Sequence, residues 1–121
     1  MGIGLDLPAG TEPPEVTAAI RAEIERLTLA LRSLGAIRVI LFGSRARGDH
    51  VRGSDTDLLV VLPELAGESY PARVARVWAA IDPRIALDLL VYSPAEFEEM
   101  QHSRPFVRNA VAEGRVLHGS A

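Results

Sequence analysis

An apolar, β-branched run from Ala36 to Phe42 stops at Gly43-Ser44, and after ten intervening residues a second run opens on Asp55-Thr56-Asp57. The first run reads as a buried strand. Gly43 breaks it and opens a polar loop, Ser44 to Ser54, that holds Arg45, Arg47 and Arg52 together with Gly48 and Gly53. The second strand is predicted over Thr56 to Leu62, with both aspartates where it begins. Side chains alternate along a strand, so residues two apart share a face. Asp55 and Asp57 therefore point the same way. Paired carboxylates suit a cation, and the glycine-and-arginine loop ahead of them suits a phosphate.

The remaining pattern supplies layers around these strands. Residues 1–12 carry three glycines and no sustained periodicity and are predicted to be a flexible N-terminal arm. Residues 13–121 are predicted to form one domain. Its first helix starts at Pro13-Pro14, carries Glu15 at the positive end of its dipole, and presents Val16, Ile20, Ile24, Leu27, Leu31 and Leu34 as one stripe. Gly35 is its expected stop. A second helix follows Pro71, with Val74, Val77, Trp78 and Ile81 facing inward. Trp78 reads as core rather than as a stacking platform.

The third strand is predicted over Ile85 to Val91, with Asp88 at its centre. Ser93-Pro94-Ala95-Glu96 has the form of a capping box opening a helix to about His102. Pro105 starts another, with Phe106, Ala110 and Val111 as its inner face, and Arg115 to His118 reads as a short edge strand. The order predicts a small α/β fold, a mixed sheet with helices packed mainly on one face.

Composition narrows the function classes. A net charge of −3 offers no general pull toward nucleic acid or an anionic membrane. With no cysteine, disulfides and thiolate metal sites are excluded, which fits a cytoplasmic protein. No apolar run approaches membrane length and no signal peptide is recognisable. His50, His102 and His118 lack ligand spacing. Gly43 to Gly48 is not followed by the lysine of a Walker-type loop.

Asp88 is the informative residue, because a charge inside an apolar strand needs a partner or a metal. If the third strand pairs beside the second, Asp88 joins Asp55 and Asp57 on one patch. Two carboxylates about 4 Å apart repel by roughly 4 kcal/mol at an effective dielectric of about 20. Protons or divalent cations must relieve that charge, and hard oxygen donors favour Mg²⁺ completed by substrate phosphates. The bland alternative pairs Asp88 with Arg84 or Arg38. Gly43 lets a phosphate approach the backbone, and Ser44 offers a hydroxyl and an amide. Arg45 and Arg47 are candidates for phosphate contact, against a plain solvated loop. Together these parts describe nucleotidyl transfer.

The string Gly43-Ser44-Arg45-Ala46-Arg47-Gly48, followed by Ser54-Asp55-Thr56-Asp57-Leu58, resembles the signature of the DNA polymerase β-type nucleotidyltransferases, and within them the minimal nucleotidyltransferase (MNT) branch. The resemblance runs from the first helix to Gly114-Arg115-Val116-Leu117. It implies the polymerase β-type fold and a role for each matching position. Asp55 and Asp57 would be ligands of two Mg²⁺. Asp88 would be a third carboxylate that holds the catalytic metal and helps activate the attacking hydroxyl. Gly43 and Ser44 would hold the triphosphate of ATP.

The minimal branch is typical of HEPN–MNT toxin–antitoxin pairs. The resemblance thus implies an antitoxin that transfers AMP from ATP to a tyrosine hydroxyl of a HEPN-type ribonuclease. Because the predicted elements are used up in building and covering the sheet, the acceptor pocket is expected to be completed by a partner protein or a second copy. Two other classes stay open: a small-molecule, antibiotic-type nucleotidyltransferase, and a non-catalytic antitoxin that acts by binding alone.

Overall fold

The computed structural model describes residues 7–8, 10–65 and 67–119, in the order α1 (Pro14–Ser33), β1 (Arg38–Phe42), α2 (Ser44–Arg47), β2 (Thr56–Val61), α3 (Tyr70–Ile81), β3 (Leu87–Tyr92), α4 (Pro94–Ser103), α5 (Pro105–Glu113) and β4 (Arg115–His118). The expected mixed sheet is present, with strand order β3-β2-β1-β4. β1 pairs antiparallel with β2 and with β4, and β2 pairs parallel with β3. Among the described residues no helix is long and apolar enough to cross a membrane.

Local chemistry sets the element ends. α1 stops in a Schellman arrangement: Ala36 N–H donates to Leu31 C=O, and Gly35 N–H donates to Arg32 C=O. Gly35, at φ 98°, supplies the left-handed residue that this turn requires. The capping box of α4 is formed as the sequence implies. Glu96 N–H donates to Ser93 Oγ at 3.1 Å, and Ser93 N–H donates to Glu96 Oε1 at 2.7 Å.

The helices occupy both faces of the sheet. Ile24, Leu27 and Leu31 of α1 and Val77 and Ile81 of α3 pack on Val39, Leu41, Leu58, Val60, Leu89 and Val91. On the opposite face Phe97 of α4 and Val107 and Ala110 of α5 pack on Ile40, Phe42, Leu59 and Val61. The expectation of helices mainly on one face therefore holds only for the two longer ones. The reason lies in β1 and β2 themselves. They are apolar at nearly every position rather than alternating, so both of their faces must be covered.

Two further expectations are corrected, and the described part of the predicted arm packs on the domain. Of the supposedly flexible arm, residues 1–6 and 9 lie outside the described residues, but Leu7 is buried in the core and its carbonyl accepts from Arg21. Glu12 is also buried. The polar loop after Gly43 begins with a full helical turn, α2. Trp78, expected inside, is 38% exposed and lines an open groove with Leu89 and Leu90 of the edge strand β3.

Candidate active site

The site is built where β1 ends and β2 and β3 begin. In the parallel ladder Asp57 is paired with Asp88, and across the antiparallel one Phe42 is paired with Asp57. The neighbours Leu58 and Leu89 belong to the α1/α3 face, so alternation turns Asp57 and Asp88 toward α5. Both line a cavity of about 380 Å³ with Phe42, Gly43, Arg47, Phe106, Asn109, Ala110 and Glu113. Asp88 is the second residue of β3 and is exposed, rather than buried at the strand's centre. The apolar run from Ile85 gave no mark of where the ladder starts.

Gly43 is committed to this geometry. Its φ of 74° and ψ of −156° lie where side-chain-bearing residues are strained. A Cβ there would sit 2.1 Å from Asp57 Oδ2. The glycine therefore lets the turn into α2 close against the carboxylate. Ser44 follows as the first residue of α2, and the Ala46 and Arg47 amides of this turn donate to the Gly43 carbonyl.

Electrostatics single out Asp57. Burial, then the charges of Asp88 and Asp55, raise its pKa to about 6, with Arg47 opposing. Asp55 is exposed, just before β2, and acts on Asp57 through its charge without lining the cavity. Two of the three expected carboxylates are thus brought onto one cavity and the third stands beside it. Among the described residues, no three Asp, Glu, His or Cys side chains converge closely enough to enclose a metal ion. The donors fit Mg²⁺ in kind: they are hard oxygens whose mutual repulsion Arg47 opposes. Mg²⁺ commonly takes one or two carboxylates and completes its shell with water and phosphate.

The two loop arginines part company. Arg47 is partly exposed on the cavity wall, 3.1 Å from Asp49 and 3.5 Å from Glu113. Arg45 is buried and turned away. Its guanidinium donates to both oxygens of Glu12, at 2.9 and 3.1 Å, and to the carbonyl of Ser54 at 3.0 Å. The expectation that Arg45 binds the nucleotide is therefore corrected. A buried carboxylate claims its charge, and Arg45 braces α2 against the approach to Asp55. His50 stacks into the same cluster, 3.6 Å from Glu12.

Phe106 departs from expectation too. It is 59% exposed, edge-on to Phe42 at 5.8 Å between ring centroids. Sequence reasoning also passed over Asn109 and Glu113. The signal available was helical spacing, since 106, 109, 110 and 113 fall on one face of α5.

On its other side Asp88 borders an open groove of about 630 Å³ formed with Tyr70, Val74, Trp78 and Leu89. In a third depression, of about 570 Å³ beside α1, Glu23 is already engaged: it binds Arg26 at 2.6 Å and accepts from Arg84 N–H at 2.7 Å.

Comparison with known proteins identifies the family. The family model described as a nucleotidyltransferase domain matches residues 24–118. A search of curated proteins found no match. Among solved structures, a toxin–antitoxin crystallised with AMP-PNP is 23% identical, with a TM-score of 0.49, over 78% of this chain and 72% of that one. A candidate nucleotidyltransferase from Sulfolobus solfataricus is 30% identical, with a TM-score of 0.47, over 68% and 79%.

Proposed function

Because this chain belongs to the nucleotidyltransferase domain family, we propose that it is a metal-dependent protein adenylyltransferase, an antitoxin that moves AMP from ATP to a tyrosine hydroxyl of a HEPN-type ribonuclease toxin. The observation that carries the nucleotidyl-transfer part is the pairing of Asp57 with Asp88 on the cavity that Gly43 and Arg47 also line. The antitoxin part rests on the sequence similarity of the Gly43–Gly48 and Ser54–Leu58 strings to the minimal nucleotidyltransferase branch.

In this reading Asp57 and Asp88, with Asp55 beside them, hold Mg²⁺, which supplies charge neutralisation at the phosphates when bound. Two such ions are what the resemblance implies. Gly43 and Ser44 cradle the triphosphate, and Arg47 offsets the charge that develops on the leaving phosphates. The acceptor oxygen attacks the α-phosphorus, the bond to the β-phosphate oxygen breaks, and pyrophosphate leaves. Asp88 takes the hydroxyl proton or orients the hydroxyl. Catalysis is then mainly positioning and charge stabilisation. The open groove beyond Asp88 leaves the acceptor side uncovered among the described residues, which supports an acceptor presented by another chain.

The test is genetic. In cells expressing a candidate HEPN-type toxin, wild type is expected to relieve toxicity, and Asp57→Ala and Asp88→Ala are expected to fail while still binding the toxin. Relief by both variants would assign inhibition to binding alone.

A further inference from the structure

We infer that α5 carries an adenine subsite, with Phe106 as the stacking platform and Asn109 as the residue that reads the base. This rests on the reading above, because it concerns the ATP of that reading held in the same cavity, and it assigns residues to the base. Phe106 is 59% exposed in the first turn of α5. The edge contact with Phe42, at 5.8 Å and 89°, holds the ring in place without covering it. Such a ring offers an apolar face to a flat ligand, and bases stack on aromatic side chains whatever their sequence.

Direction along the helix separates base from phosphate. Glu113, at the far end of α5, meets Arg47, the cation of the cavity. Seven residues at 1.5 Å rise place Phe106 about 10 Å from that end. The separation leaves room for a ribose between a phosphate near Arg47 and a base on Phe106. Gly43, Asp57 and Asp88 line the same cavity. The groove on the other side of Asp88 has neither a cation nor a glycine turn, so it offers a phosphate nothing.

Asn109 lies one turn beyond Phe106 on the same wall, and its amide has no hydrogen-bonding partner among the described residues. An amide presents a donor and an acceptor side by side. That pair matches the amino group and N7 of adenine, and mismatches the two acceptors, N7 and O6, on the same edge of guanine.

The full chain would be titrated by calorimetry with ATP, GTP and inorganic tripolyphosphate, each with Mg²⁺. Wild type is expected to bind ATP more tightly than GTP. Phe106→Ala is expected to weaken ATP about tenfold and leave tripolyphosphate unchanged, while Phe106→Trp keeps ATP affinity. Asn109→Ala is expected to bring ATP and GTP together. A wild-type preference for GTP, unchanged ATP binding in Phe106→Ala, or equal loss of ATP and tripolyphosphate overturns the subsite and leaves the proposed function standing. Wild type that binds neither ATP nor tripolyphosphate overturns the proposed function itself.

Discussion

Asp57 and Asp88 are register partners on adjacent parallel strands, and both face the cavity beneath α5. Neighbouring carboxylates of this kind oppose folding until something neutralises them. Asp57→Asn removes the repulsion and is expected to stabilise the metal-free protein by about 1 kcal/mol, a Coulomb term discounted for solvent screening. Wild type should gain stability on adding Mg²⁺, and the variant should gain much less. Thermal melts with and without Mg²⁺ check both points.

Gly43 links the turn to that carboxylate. Gly43→Ala places a Cβ 2.1 Å from Asp57 Oδ2 at a φ of 74°. It is expected to destabilise by roughly 1–3 kcal/mol and to lower transfer activity more than the melting shift explains, because Asp57 must swing aside. Activity indistinguishable from wild type at a temperature where both are folded would contradict this.

Arg45 and Arg47 should behave in opposite ways. Arg45→Ala leaves Glu12 buried without its partner and is expected to cost about 3–5 kcal/mol of stability. Arg47→Ala breaks only exposed pairs, with an expected stability change below about 1 kcal/mol. Arg47→Ala should instead weaken tripolyphosphate binding. Denaturant unfolding and calorimetry separate the two.

Much of this site is legible in the chain. The Gly43-Ser44 break, the Asp55-x-Asp57 spacing and the apolar runs placed two strands and their junction, since each is a local signal. Asp88 was visible as a charge in an apolar run, but its position at the strand's start depends on where pairing with β2 begins. The continuous apolarity of β1 and β2 already implied two covered faces; the order of elements pointed instead to one. Arg45 could not be read locally, because Glu12, which buries it, lies 33 residues away. Trp78 and Phe106 sit on well-formed stripes, yet periodicity marks a face without saying what covers it.

The same buried pair predicts a pH dependence. Hydrogen bonding from Arg45 holds the Glu12 pKa below its ordinary 4.5, against the opposing effect of burial. The native state therefore binds fewer protons than the unfolded chain in this range. The stability that Glu12 contributes is fully present above about pH 4.5 and is lost as pH falls through the lower folded value. Subtracting the unfolding free energy of Glu12→Gln from that of wild type, from pH 7 down to pH 3, should give a difference that shrinks with acid. A flat difference would contradict the pair.

The central claim is transfer of AMP to a protein, and intact mass reads it most directly. The toxin partner would be weighed after incubation with this protein, ATP and Mg²⁺, beside a control with the Asp55→Ala/Asp57→Ala double variant. The expected result is a gain of one or more AMP units on the toxin with wild type and none with the variant. An unchanged toxin mass, despite a stable complex and relief of toxicity, would contradict the account and leave a protein that inhibits by binding.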